Sequence, residues 1–88
     1  MRILFTDNGW DDYLYWDSRD SGLHKRLNEL IQDIRRSPYR GIGKPEPLKG
    51  DLAGFWSRRI NTEHRLVYTV EGKGTAQTAA IIQCRYHY

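Results

Sequence analysis

The chain has 88 residues and a mass of 10.4 kDa, which leaves room for one domain, residues 1–88, built on a single core, with no separate catalytic and binding domains. Charged residues make up 28% of it and its mean hydropathy is −0.77, with no apolar run near the roughly 20 residues that a membrane-spanning helix needs. Three Trp, six Tyr and two Phe supply enough large side chains to close a small core and argue against wholesale disorder.

The first residues turn polar too early for a secretory leader, so the sequence predicts a cytoplasmic protein. Cys84 is its single cysteine. It has no partner for an internal disulfide and no second Cys or His at a zinc-finger spacing, so neither a disulfide, a structural metal nor an organic cofactor is expected. The formal charge is +3 and the sequence pI is near 9.2. Ten of the fourteen cations are Arg, whose planar fork suits phosphates and base stacking, so nucleic acid is the partner that the charge favours.

In chain order, residues 2–6 alternate in polarity and read as a first strand. Asp7 and Asn8 offer cap oxygens for a helix carrying Trp10, Tyr13, Leu14 and Trp16. A second helix opens at Asp20 or Ser21, presents Leu23, Leu27, Leu30, Ile31 and Ile34 at helical spacing, and stops at Ser37-Pro38. Residues 39–50, punctuated by Gly and Pro, read as a loop. Beyond them the period changes to two, and residues 55–60, 65–71 and 76–88 read as strands joined by turns at 61–64 and 72–74. The predicted fold is α+β: two helices packed on a mostly antiparallel sheet of about four strands, with one sheet face left open.

Side chains alternate faces along a strand, so parity sorts core from open face. Leu66, Tyr68 and Val70 make a core stripe, which sends Arg65 outward. Burying Trp56 and Ile60 sends Arg59 to the same open face, provided that Ile60 and Leu66 share the other one. In the last strand Ala80, Ile82, Cys84 and Tyr86 form the apolar parity, leaving Ile81, Gln83, Arg85 and His87 outward. Trp10, Trp16, Leu27 and Ile31 are expected in the core, Cys84 as an inert buried thiol, and His64, beside a turn, as a structural residue.

This parity gathers Arg59, Arg65 and His87 on one face, with Glu46 and two lysines on the adjacent loop. Cleavage of RNA without metal needs such a set: a base for the 2′-hydroxyl proton, cations for charge developing on the phosphate, and an acid for the departing 5′-oxygen. Glu46, Arg65 and His87 can fill those roles in that order. The same residue types also occur as ordinary solvated charges, so spacing alone leaves both readings open.

Several blocks narrow the choice. Trp10-Asp11-Asp12-Tyr13-Leu14-Tyr15-Trp16, Gly43-Lys44-Pro45-Glu46-Pro47-Leu48-Lys49, Gly54-Phe55-Trp56-Ser57-Arg58-Arg59-Ile60, Glu63-His64-Arg65-Leu66-Val67-Tyr68 and the ending Cys84-Arg85-Tyr86-His87-Tyr88 closely resemble the YoeB toxins, of the RelE superfamily of bacterial toxin–antitoxin systems. The resemblance runs from Trp10 to the last residue. It implies a RelE-like fold and a ribosome-dependent mRNA endonuclease that enters the A site, cuts the codon there and arrests translation. It assigns Glu46 as general base, Arg65 as transition-state stabiliser and His87 as general acid, with Lys49, Arg59, Glu63 and Tyr88 positioning RNA or shaping the site.

The resemblance also implies a cognate antitoxin, whose acidic segment would cover the basic face and through which alone operator DNA would be bound, and a possible homodimer. The connection at 72–78 looks longer than is usual for that family. The related ParE toxins, which poison DNA gyrase without cutting RNA, share the fold, and the Glu46, Arg65 and His87 set with Tyr88 separates the two readings.

Overall fold

The computed structural model describes residues 1–87. Its elements in chain order are β1 (Arg2–Phe5), α1 (Asp7–Arg19), α2 (Ser21–Arg36), β2 (Glu46–Pro47), β3 (Trp56–Arg59), β4 (Arg65–Glu71) and β5 (Thr78–Gln83), with short 3-10 turns at Gly50–Leu52 and Gly74–Ala76. The strands form one five-stranded sheet in the order β1-β5-β4-β3-β2. β1 runs parallel to β5 and the remaining pairs are antiparallel. The α+β expectation therefore holds, with one strand more than expected. No helix among the described residues is long and apolar enough to cross a membrane.

Helix boundaries follow from side-chain caps. The cap of α1 is Thr6, one residue before the expected Asp7 or Asn8, and its Oγ1 accepts the Gly9 N–H at 3.1 Å. Asp20 serves two helices: its N–H donates to Trp16 O at the end of α1, and its carboxylate accepts the Leu23 N–H at 3.0 Å at the start of α2. This double use lets the helices follow each other with no connecting loop, each satisfying backbone groups that would otherwise be orphaned.

Both helices lie on one face of the sheet. Trp16, Leu23, Leu27, Leu30 and Ile34 meet Ile60, Leu66, Tyr68, Ala79, Ile81 and Cys84 in one buried cluster. Gly9 lets α1 approach β5 closely, because a Cβ there would lie 2.2 Å from Ile81 O. Trp10, expected in the core, is 46% exposed and instead stacks on Tyr13 and packs edge-on against Phe5. Ile31 is half-buried at the rim of the cluster.

The last strand departs from the expected parity, and a bulge explains how. Tyr68 pairs with Ile81 and Val67 with Gln83, so Ile82 is an extra residue between two rungs. Ala79 and Ile81 point into the core ahead of the bulge and Cys84 does so after it. A single parity could not describe both segments, since one inserted residue exchanges the two faces. Ala80 is only partly buried and Tyr86 is 55% exposed, so the apolar stripe assigned to them is corrected. The strand also stops at Gln83, well short of the expected 76–88. Past Gln83 the Cys84 N–H and carbonyl and the Tyr86 N–H are taken by side chains in place of a strand ladder.

One buried charge orders the connection between α2 and the sheet. Arg58 points to the helix side, opposite Leu66, and is fully buried. Its Nη1 donates to Asp33 Oδ2 and Ile42 O, its Nη2 to Ser37 O and Arg40 O, and its Nε to the Tyr68 hydroxyl. The Tyr68 hydroxyl in turn donates to Pro38 O at 2.7 Å. All five guanidinium donor directions are engaged, which is how a fully buried cation is tolerated. The result is a fixed path from Ser37 to Gly43, whose carbonyl accepts the Arg59 N–H at 2.6 Å, and so a fixed entry to β2.

Candidate active site

The open face is built from register. Glu46 pairs with Ser57, Ser57 with Val67, and Val67 with Gln83, so these four side chains share a row on the face away from the helices. In the next row on the same face Arg59 pairs directly with Arg65. Strand spacing puts Glu46 about 10 Å across and about 7 Å along the sheet from Arg65, backbone to backbone. The long side chains of Glu46 and Arg65 can therefore reach toward a common ligand on this face.

Glu46 is exposed on β2, the pairing that the loop reading of residues 39–50 missed. Its strand has a Pro at the second position, and it sits at the sheet edge, where a missing donor costs no ladder bond. Lys49 is exposed and opens the 3-10 turn at Gly50–Leu52, close after β2. Arg59 is exposed, as parity predicted, while Arg65 is half-buried. The Arg65 Nη1 donates to Asn61 O at 2.8 Å and to His64 O at 3.1 Å, tethering its guanidinium to the β3–β4 turn. Two arginines facing each other across a strand pair repel, a cost that a bound anion would remove.

Glu63 lies exposed in that same turn, where its N–H donates to Asn61 Oδ1 at 2.9 Å. His87 is exposed. Its predecessor Tyr86 offers its carbonyl to the Arg65 N–H at 3.0 Å, so His87 follows directly from a residue bonded to the Arg65 backbone. Glu46, Arg59 and Arg65 thus share the open face, while His87 follows the residue bonded to the Arg65 backbone and lines a groove with Asn8, Asp12 and Arg85. Tyr88 lies outside the described residues.

Several residues that parity did not single out hold the tail. Asp12 Oδ2 accepts the Cys84 N–H at 3.1 Å, and Trp16 Nε1 donates to Cys84 O at 2.8 Å. His64 Nδ1 accepts the Tyr86 N–H at 2.7 Å. The Arg85 guanidinium lies over the Tyr15 ring, 3.6 Å from its centroid, and over Tyr86 at 4.6 Å. Burial pushes the Asp12 carboxyl up, against the opposing pull of the Cys84 N–H and of Arg85. Burial, with a lesser contribution from the Asp12 charge, pushes the Cys84 thiol up to about 12, in keeping with an inert side chain. Asn8, Asp12, Gln83, Arg85, Tyr86 and His87 line a groove of about 430 Å³ along this tail. Among the described residues no group of three or more His, Cys, Asp and Glu side chains could hold a metal ion.

Two helices behind a five-stranded sheet whose open face carries paired arginines make this a small α+β protein with the architecture of the RelE-like toxins. Comparison with known proteins agrees over the whole chain. The family described as the YoeB-like toxin of bacterial type II toxin-antitoxin systems matches residues 5–88. Toxin YoeB of Streptomyces coelicolor is 57% identical over 88 residues, with 100% of both chains covered. The solved YoeB/ParE toxin from Agrobacterium tumefaciens is 51% identical, superposes with a TM-score of 0.95 and is covered over 100% of both chains. A heterotetrameric YoeB-YefM toxin-antitoxin complex from Staphylococcus aureus is 45% identical, with a TM-score of 0.86 over 100% of this chain and 98% of that one. The chain belongs to the YoeB-like toxins of bacterial type II toxin-antitoxin systems.

Proposed function

We propose that this toxin is a ribosome-dependent endoribonuclease that cuts mRNA in the A site and so arrests translation in the cytoplasm. The observation that carries the reading is the pairing of Arg59 with Arg65 on the open face, with Glu46 one row away and the His87 backbone adjoining Arg65. In this reaction Glu46 takes the proton from the 2′-hydroxyl, and the 2′-oxygen forms a new bond to phosphorus. Arg65 holds the nonbridging oxygens as charge develops on them, with the like charge of Arg59 beside it. The bond to the 5′-oxygen breaks, and His87 donates a proton to that leaving group. The products are a 2′,3′-cyclic phosphate and a free 5′-hydroxyl. Lys49, Glu63 and Tyr88 position the RNA, and Tyr88 brings an aromatic ring on which an unpaired base can stack.

The toxin–antitoxin pairing seen in the Staphylococcus aureus complex supports a cognate antitoxin here, an acidic segment of which would cover the basic face, with operator DNA bound through that complex. Self-association of two copies belongs to the same reading and is measured by sedimentation across a range of concentrations.

The test is cleavage of programmed ribosomes carrying either normal mRNA or mRNA with a 2′-deoxy nucleotide at the cut site. Normal mRNA is cut, the 2′-deoxy message is not, and Glu46→Gln slows the first strongly while adding nothing to the second. Efficient cutting of the 2′-deoxy message overturns the mechanism. Intact mRNA with blocked replication in cells expressing the chain would point to gyrase instead.

A further inference from the structure

We propose that His64 is a positioning residue for this reaction, whose neutral imidazole grips the Tyr86 amide and thereby sets where His87 stands. The inference rests on the proposed cleavage reading and adds to it a residue that makes no contact with the RNA.

His64 and Arg65, consecutive in the chain, hold the two backbone groups of one residue. His64 Nδ1 accepts the Tyr86 N–H at 2.7 Å, and the Arg65 N–H donates to Tyr86 O at 3.0 Å. Because Nδ1 accepts, the ring proton resides on Nε2, the nitrogen that faces Glu63 Oε1 at 3.7 Å. The ring cannot turn away. It is 7% exposed, packs edge-on against Trp16 with centroids 4.7 Å apart, and lies 5.8 Å from the Tyr86 ring. Its own backbone is fixed as well, its N–H donating to Asn61 Oδ1 at 2.7 Å and its carbonyl accepting the Ile60 N–H at 3.0 Å.

Tyr86 has φ +67, the left-handed region that non-glycine residues enter at a cost. Two bonds to residues 64 and 65 hold it there, and that backbone turn directs His87 along the chain. Without the acceptor at Nδ1, Tyr86 would relax toward negative φ and carry His87 with it. A group displaced by about 1 Å from its reacting partner loses on the order of 10²-fold in rate. A transition-state acid affects the chemical step more than binding, so the loss should fall on the single-turnover rate and leave ribosome affinity nearly constant.

The experiment compares the full-length parent with His64→Asn and His64→Leu. Asn places Oδ1 near the position of Nδ1 and keeps an acceptor, whereas Leu fills similar volume without one. In the 15N-labelled parent, a coupling across the Tyr86 N–H···Nδ1 bond and slow exchange of that amide are expected. His64→Leu should speed Tyr86 amide exchange and lower the single-turnover cleavage rate by roughly 10- to 100-fold at unchanged half-saturation, and His64→Asn should recover most of both. The proposal is overturned if the parent lacks the coupling, if His64→Leu cleaves at the parental rate, or if Asn and Leu lose rate alike while both remain folded by circular dichroism. A parent that shows the coupling but never cuts mRNA refutes the cleavage reading, and a cutting parent without the coupling refutes the role of His64.

Discussion

Arg58 and Asp33 form an ion pair between β3 and α2 in which the arginine side chain is wholly buried and the carboxylate is 16% exposed. Its neighbour Arg59 is exposed on the opposite face. Two identical residues, adjacent in sequence, therefore serve unrelated ends: one fixes the path of residues 37–43, the other charges the open face.

This division predicts opposite outcomes for one chemical change. Arg58→Ala strands Asp33 and removes the donors to Ser37, Arg40 and Ile42, so it should cost about 3–5 kcal/mol of stability. In a domain of this size that lowers the melting temperature by more than about 10 °C. Arg59→Ala should change stability by no more than about 0.5 kcal/mol, since the site is at the surface and a like-charge contact with Arg65 is relieved. Urea unfolding of both variants checks the pair, and equal losses would contradict the assignment.

The Asp33 carboxyl gives the same clasp a pH signature. Burial pulls it upward, but the hydrogen bond from Arg58, the Ile42 N–H and the guanidinium charge outweigh that and hold it below its ordinary 3.8. A carboxyl depressed in the folded state stabilises the fold above its unfolded value, and that contribution is lost as pH falls through the folded one. The parent should exceed Asp33→Asn in stability near neutrality, with the gap closing below 3.8. A gap unchanged at about pH 2 would remove Asp33 from the acid response.

Cys84 should resist thiol reagents in the native protein, because its side chain is fully buried and its thiol is pushed up to about 12. A disulfide reagent at about pH 8 should label it only after denaturation, since the thiolate is the reactive form. Rapid labelling of the folded chain would show that the tail opens readily. The sign at high pH follows too: a thiol raised in the folded state stabilises below the unfolded value of 9.0 and loses that contribution as pH rises toward 12.

His87→Gln should leave folding intact, as the residue is exposed, yet slow ribosome-bound cleavage by about 10²- to 10⁴-fold, the usual loss for a general acid. An unaltered rate in a folded variant removes His87 from the mechanism.

Arg65→Lys should fail nearly as badly as Arg65→Ala. The guanidinium is tied to Asn61 O and His64 O through one nitrogen, and in the proposed reaction its fork would also have to hold a phosphate, two tasks that a single ammonium cannot combine. Near-normal turnover with Lys would reduce the position to diffuse charge.

How much of this was legible in the sequence depends on the kind of signal. The apolar spacing of α2 and the strand parity that puts Arg59 and Arg65 on one face are local periodicities, and both are found in the structure, which adds that the two arginines pair directly. The inward face of β5 was misread because Ile82 bulges out of the ladder, and nothing in Ala-Ala-Ile-Ile-Gln marks which residue is extra. Glu46–Pro47 read as loop because two prolines mask a strand pairing supplied entirely by β3. Arg58 went unrecognised, and His64, expected as a structural residue, came without its partner Tyr86, for the same physical reason: their roles are set by carbonyls and amides distant in the chain, which polarity alone does not reveal.

The parallel pairing of β1 with β5 places Arg2 opposite Thr78, so the first strand synthesised is completed by the last. During translation α1 and α2 can coil as they emerge, but the sheet has no partner for β1 until Thr78–Gln83 has left the ribosome. The tail that carries His87 can dock on β4 only once β5 has emerged and paired, so a nascent chain still lacking β5 has no completed open face.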